Sequence, residues 1–302
     1  MSQNLNIIAE TIDLMRKSDK SPKILIKVAR NMGDSLHATP IIHHYRKIYK
    51  NAYIAFATSR KYHNVHEFNP HIDKLVLLEG ALEPQERLEI WKRFKANTTY
   101  PDITFIFPAI HPFGAVHQCN VWSLPNIADQ YLHNAGITGL RPLGGKKLQV
   151  TTTDQDKQWV DNFLKINNIN PNKALAVEYL SYSIQPIWGI NEFAKMSDFL
   201  INNKISVISI CGPHEGIIPR SIDGRGMSWR RTTELLNRVR AVIGIGSGIL
   251  MLAAAAERPP KILELGVSES ISMKHCGYAD SIRITNPNPN DVANWMLLDI
   301  FK

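Results

Sequence analysis

Short apolar runs alternate along this chain with segments whose apolar residues recur three or four positions apart, the patterns of buried strands and of amphipathic helices. The spacing of Leu5, Ile8, Ile12 and Met15 predicts a helix over Asn4 to Lys17, and Ile24, Leu25, Ile26 and Val28 suit a strand buried on both faces. A helix from Ser35 to Tyr49, strands over Ala52 to Ala57 and Lys74 to Leu78, a helix over Pro84 to Lys95 and a strand over Asp102 to Phe107 continue the series. From Ala109 to Gly145 the pattern loosens into a loop-rich segment with one helix near Ile127 to Ala135. Lys147 to Val150 reads as a last strand, followed by an amphipathic helix over Asp154 to Asn167. The turn residues Asn170 to Asn172 lead into a second series. It has strands over Ala174 to Tyr179, Ser206 to Cys211, Ala241 to Ile245 and Lys261 to Leu265. Helices are expected over Asn191 to Asn202, Thr232 to Arg238, Ile249 to Glu257 and Asp291 to Phe301. Strands alternating with helices at this rhythm predict parallel sheets covered on both sides, an α/β fold. The expected divisions are an amino-terminal domain over 1–170, a second domain over 171–285 and a carboxyl-terminal helix over 286–302.

Composition narrows the class. A chain of 302 residues is long enough for two domains, each with its own core. With 44% hydrophobic and 21% charged residues and no apolar run of membrane-spanning length, a soluble protein is expected. Met1 to Lys20 has no signal-peptide core, so the expected compartment is the cytoplasm. Cys119, Cys211 and Cys276 are scattered, odd in number and without a CxxC pair, which predicts buried thiols rather than a disulfide framework or a zinc site. The formal charge of +8 implies an anionic partner: a phosphorylated sugar, a nucleotide, nucleic acid or a lipid surface. Its sign does not choose among them.

Two glycine turns carry the candidate chemistry. Gly33 and Asp34 follow the first strand, and ligand crevices form at the carboxyl ends of parallel strands. The Asp34 carboxylate there either faces a pocket or caps the helix beginning at Ser35, and spacing leaves both open. Gly246-Ser247-Gly248 opens a helix directly after a strand, where exposed N–H groups and the positive end of the helix dipole suit a phosphate; a close-packed turn is the alternative. The alanines from 253 to 256 let that helix lie tight against its sheet. Arg225, Arg230 and Arg231 precede the helix expected at Thr232, either as positive charge for a diphosphate or as a solvated cluster. Lys27, Arg30 and Gly33 around the first strand's end, with His111 and His117 in the loose segment, are candidates for holding an anionic acceptor. The other amino-terminal histidines, His37, His43, His44, His63 and His66, form no HExxH-like pair, so no metal is expected. The absence of a GxGxxG with a later acidic residue after the first strand argues against a dehydrogenase.

The stretch Lys23 to Ile42, with Gly33-Asp34 after the strand and Ala38 and Pro40 in the helix that follows, resembles the amino-terminal signature of the ADP-heptose:lipopolysaccharide heptosyltransferase family, of glycosyltransferase family 9 type. The resemblance covers most of the chain, unevenly. It implies a GT-B arrangement, two Rossmann-like doubly wound domains facing a cleft. In that family the aspartate of the Gly-Asp pair is the general base, which implies that role for Asp34. Cys211-Gly212-Pro213-His214-Glu215 resembles the family's Gly-x-x-x-Glu segment, whose glutamate contacts the nucleotide part of the donor, so Gly212 and Glu215 are implied as donor-binding. Ile243 to Ala255 keeps the frame of the family's Asp-Thr-Gly segment, with Gly246, Ser247 and Gly248 in it. There the aspartate position holds Gly246 and the histidine position holds Met251. Pro186 stands where the family has a lysine ahead of its tryptophan. Ser181, Arg230 and Arg231 complete the expected donor-binding set.

The function this implies is inverting sugar transfer from a nucleotide-diphosphate donor to an acceptor hydroxyl. No metal is required, since no DxD-type acidic pair follows a strand in the right place. No cofactor is expected besides the nucleotide-sugar substrate. The implied acceptor is a lipopolysaccharide or other phosphorylated surface glycan, with peripheral membrane contact. Two alternatives stand beside it: sugar transfer to hydroxymethylated bases of viral DNA, which suits a basic chain, and a non-catalytic nucleotide- or nucleic-acid-binding protein of the same fold.

Overall fold

The structure, a computed structural model, describes residues 3–28, 31–79, 100–108, 127–137, 139, 141–180, 188–245, 248–266, 281–285 and 287–302. The helix expected over Pro84 to Lys95 lies outside them. The chain divides into two compact units, Met1–Lys147 and Leu148–Lys302.

In the first unit β1 (Lys23–Val28), β2 (Tyr53–Ser59), β3 (Lys74–Leu78) and β4 (Ile103–Ile106) form a parallel sheet in the order β3-β2-β1-β4. Successive side chains of a strand point to opposite faces, and here both faces are covered. Leu25 packs with Leu5, Ile8, Ile12 and Met15 of the leading helix Gln3–Lys17. Ile24, Ile26 and Val28 pack with Ile41 and Ile42 of helix Thr39–Ile48 and with Tyr131 and Leu132 of helix Ile127–Asn134. The single helix expected from Ser35 to Tyr49 is two, Met32–Leu36 and Thr39–Ile48. Pro40 is the cause: it has no N–H for the carbonyl of Leu36, and its ring would crowd that oxygen in a continuous helix. The hydroxyl of Thr39 donates to the Leu36 carbonyl instead, at 2.8 Å.

In the second unit β5 (Ala174–Val177), β6 (Ser206–Ser209), β7 (Ile222–Asp223), β8 (Ala241–Gly244), β9 (Lys261–Gly266) and β10 (Ser281–Thr285) form a parallel sheet in the order β10-β9-β8-β5-β6-β7. Two of these strands were not expected from the sequence. β7 has only two residues and so shows no period, while β10 alternates Ile282 and Ile284, packed against the core, with Arg283. The helix Gly248–Ala255 buries Ala253, Ala254 and Ala255, the close approach that alanine allows. Cys211 is a buried free thiol.

The division into compact units falls after Lys147, where the sequence placed the boundary at residue 170. Lys147 to Val150 pairs with no strand among the described residues; it joins the units, with Leu148 fully buried. Helix Asp154–Ile166 belongs to the second unit because charged groups tie it to helix Trp229–Leu236. Arg230 Nε donates to Asp156 at 3.0 Å, and Arg238 Nη1 lies 3.0 Å from Asp161. The terminal helix Pro289–Asp299 is not a separate appendage either: Val292, Ala293 and Met296 share a core with Phe193, Met196 and Leu200.

Asp156 does two jobs in this joint. It completes a capping box with Thr153 and accepts from Arg230. Burial opposes its charged form, but hydrogen bonds from the Thr153 backbone and hydroxyl and from Arg230 outweigh it, holding the carboxyl below its ordinary range. Asp156→Ala removes the box and strands a largely buried guanidinium, so it is expected to destabilise the second unit by about 2–4 kcal/mol. The check is the urea midpoint at unchanged slope; a loss no larger than that of an exposed carboxylate such as Asp154→Ala would show that the joint is held by apolar contacts.

Candidate active site

Asp34 lies just past the carboxyl end of β1, where the strand order of the first sheet reverses between β1 and β4. Crevices form at such points because the chain leaves the sheet toward opposite faces. Gly33 and Asp34 are both within helix Met32–Leu36, so Gly33 is not the bend expected between strand and helix. The N-cap position belongs to Asn31, which makes no side-chain cap, and Asp34 sits in the first turn. Its Oδ1 accepts a 2.7 Å hydrogen bond from the hydroxyl of Tyr131. That phenol is 1% exposed and belongs to a helix almost a hundred residues downstream, so a tertiary contact, rather than a cap, orients the carboxylate.

Two buried histidines brace the same turn. His37 lies with its ring centroid 5.0 Å from that of Tyr131. Burial pushes its pKa down to about 4, partly opposed by the nearby Asp34 charge, so the imidazole is neutral at physiological pH. Ser35 donates its one hydroxyl proton to the Met32 carbonyl at 2.8 Å, so it must accept from Nε2 of His66, 3.0 Å away. His66 is accordingly the Nε2–H tautomer, and burial lowers its pKa to about 3.

The expected acceptor residues are only partly gathered here. Lys27 is 8% exposed and emerges on the opposite face of β1 from Ile26 and Val28, its ammonium 5.7 Å from the Phe107 ring centroid. Arg30, His111 and His117 lie outside the described residues, as do the donor-side Ser181, Gly246 and Ser247.

In the second unit the strand order reverses between β5 and β8, and Gly248 opens a helix after β8. Glu215 folds back on its own loop beyond β6: its Oε2 accepts from the Gly212 N–H at 2.7 Å. A Cβ at Gly212 would come within 3.1 Å of Oε1, so the glycine makes room for that carboxylate. Burial, and then the Glu215 charge, push the Cys211 thiol up to about 12. Burial and Cys211 likewise push Tyr179 up to about 12, and its hydroxyl donates to the Gly216 carbonyl at 2.6 Å.

No family model and no curated protein sequence matches the chain, but solved structures do. The glycosyl transferase family 9 protein of Veillonella parvula superposes with a TM-score of 0.66 at 14% identity, over 94% of this chain and 93% of that one. Escherichia coli ADP-heptose lipopolysaccharide heptosyltransferase II gives 0.65 at 15% identity, over 91% and 98%. Escherichia coli heptosyltransferase WaaC, in a structure with ADP, gives 0.58 at 12% identity, over 91% and 99%. The chain has the heptosyltransferase fold.

Within this fold, the three arginines weighed for a diphosphate each have partners within the second unit. Arg225 makes a fork to Asp223, Nε and Nη2 each at 2.8 Å, and its Nη1 donates to the Glu215 carbonyl. Arg230 and Arg231 are not on a loop but in the first turn of helix Trp229–Leu236. Arg230 bonds Asp156, and Arg231 stacks its guanidinium 4.8 Å from the Trp159 ring centroid, with Nε 3.9 Å from Asp156. One carboxylate thus anchors both to helix Asp154–Ile166.

A polar row that sequence reading passed over stands at the carboxyl side of the second sheet. Glu264 on β9 pairs in register with Gly244 on β8 and Arg283 on β10, and the carboxylate of Glu178, just past β5, leans over Gly244. Glu178 and Glu264 are 5% and 2% exposed, so these are buried carboxyl groups on one face of the sheet. Arg283 lies over Gly266, where any Cβ would collide with its guanidinium, and its Nη1 is 3.9 Å from Glu264. The signal was available: an acidic residue inside an apolar strand of a parallel sheet needs a buried partner.

Proposed function

We propose that this protein is a glycosyltransferase that moves a sugar, with inversion, from a nucleoside-diphosphate donor to the hydroxyl of an anionic acceptor. The supporting observation is the setting of Asp34, a carboxylate oriented by Tyr131 at the strand-order reversal of the first sheet, in a chain with the heptosyltransferase fold. Asp34 takes the proton of the acceptor hydroxyl as that oxygen attacks the anomeric carbon; the bond from this carbon to the diphosphate oxygen breaks, and the nucleoside diphosphate leaves. The donor is held by the second unit, near Glu215 and the amino end of helix Gly248–Ala255, whose N–H groups and dipole offset the leaving charge without a metal. His37 and His66 stay neutral and fix the turn that carries the base. The formal charge of +8 supports an anionic acceptor, which we take to be a phosphorylated surface glycan, and the reaction is placed in the cytoplasm. No helix among the described residues is long and apolar enough to cross a membrane.

A panel of nucleotide sugars and their diphosphates tests this reading. One of them is expected to raise the melting temperature, by the equivalent of about 2.7 kcal/mol at a hundred times its Kd. It should also serve as donor to a phosphorylated glycan. If none stabilises the protein and no transfer is detected, the proposal is wrong. Transfer to hydroxymethylated DNA, with binding that weakens steeply as salt rises, would replace the glycan by nucleic acid.

A further inference from the structure

At the other end of the second sheet a pocket of about 700 Å³ opens where β8 and β9 begin. Arg240 immediately precedes β8 and Lys261 opens β9, and the Lys261 N–H donates to the Arg240 carbonyl at 3.1 Å. Arg238 and Arg258, which follow the carboxyl ends of helices Trp229–Leu236 and Gly248–Ala255, contribute two further walls, and Asp299 closes a third. The strands between this pocket and Gly212, Glu215 and Gly248 are four to six residues long, a separation of roughly 13–20 Å. The two ends of the sheet therefore do not share a ligand of ordinary size.

The charges in the pocket do not cancel. Arg238 is matched by Glu234 at 2.8 Å and Asp161 at 3.0 Å, and Asp299 by Lys302 at 3.7 Å. Arg240 donates its Nε only to a neutral group, the Ile300 carbonyl, at 3.0 Å. The side chains of Arg258 and Lys261 have no hydrogen bond or ion pair among the described residues, although the Arg258 backbone N–H is held by Asn237 at 3.1 Å. Three cations thus lack a carboxylate among the described residues. Part of their charge has a structural duty, because three helices end at this rim and each carboxyl end carries about half a negative charge. Because Arg238 faces two carboxylates with one charge, the surplus is about two, and the helix ends account for about three-quarters of it. The remainder faces a polar-lined space of the size that holds small organic ligands.

We propose that this pocket binds a phosphate ester. Two guanidiniums present planar forks that match phosphate oxygens, the lysine adds a point charge, and the volume leaves room for the organic group beyond the phosphate. The site is independent of the transfer chemistry proposed above. Its ligand is either a free phosphate ester or the headgroup of an anionic lipid, and the two sources are separable by experiment.

The test is local labelling of arginines in the full chain with a dicarbonyl reagent, read by mass spectrometry with glycerol phosphate as the probe. Arg258 and Arg240 are expected to be modified at least about threefold more slowly with the probe, while Arg220, engaged by Asp198 and outside the pocket's lining, is unaffected. In parallel, flotation with phosphatidylglycerol–phosphatidylcholine vesicles compares the wild type with an Arg258→Glu, Lys261→Glu double variant at exposed positions, whose melting temperature is measured alongside to show that the fold survives the charge reversal at the helix ends. Protection by glycerol phosphate supports a soluble ester. Vesicle binding lost on charge reversal supports a lipid headgroup. Unchanged labelling together with vesicle binding that is absent, or equal in both proteins, overturns the proposal and leaves the cations as partners of the helix ends only.

Discussion

Asp34→Asn is expected to slow sugar transfer by about 10²–10⁴ while the melting temperature moves by no more than about 1–3 °C. Asparagine keeps the shape of the residue and an acceptor oxygen for the Tyr131 hydroxyl, so the tertiary contact at 2.7 Å survives. What disappears is the basic oxygen and a negative charge in the first turn of a helix, the latter worth about 0.3–1 kcal/mol. Rate and stability therefore separate by orders of magnitude if Asp34 is the base. Tyr131→Phe gives the complementary result: the base remains but loses its orienting donor, so the rate should fall by about tenfold, less than for the aspartate change. Turnover, melting temperature and nucleotide affinity are to be measured on the same preparations. Near-normal turnover in Asp34→Asn with a clearly lowered melting temperature would make Asp34 a structural residue and remove the catalytic reading.

The first unit is expected to lose most of its stability in mild acid. His37 and His66 have an ordinary pKa of 6.5 in the unfolded chain but about 4 and about 3 in the fold, because burial penalises the imidazolium. Above pH 7 both are neutral in either state, and nothing is lost. As pH falls through 6.5, the unfolded chain takes up protons that the folded unit refuses until its own, lower values are reached. By about pH 4 each histidine has removed about 3 kcal/mol, and the pair about 6, comparable with the whole stability of an ordinary domain. His43 adds to the trend, lowered to about 4 by burial and then by His71, whose ring nitrogen shares a hydrogen bond with it. Urea midpoints from about pH 7.5 down to about 4.5, read by hydrogen exchange in the first unit, should fall steadily. In His37→Gln the slope should flatten by close to one proton. Midpoints indifferent to pH would mean that these histidines titrate in the fold as they do in the unfolded chain, and the bracing of the Asp34 turn would have to be redrawn.

Much of the architecture was written in the order of residues. Apolar runs such as Ile24 to Val28 and Ala241 to Ile243 need cover on both faces, and a chain that alternates them with amphipathic helices has few ways to supply it other than a parallel sheet between helix layers. The Gly33-Asp34 and Cys211 to Glu215 segments showed where to look for chemistry, because their neighbours along the chain define the strand ends on which they sit. Local order also decides the break at Pro40, and attention to its missing N–H would have foretold it. Partners distant in sequence were beyond reach. Nothing near Asp34 announces Tyr131, and nothing near Arg230 announces Asp156, 74 residues away, so an arginine that looks free in the sequence proves to have a carboxylate partner. The row from Glu178 through Glu264 to Arg283 likewise exists only because strand order brings β5, β8, β9 and β10 side by side. Periodicity along a chain reports which face is buried; which charge meets which depends on register and strand order, and these are decided by the packing of the whole domain.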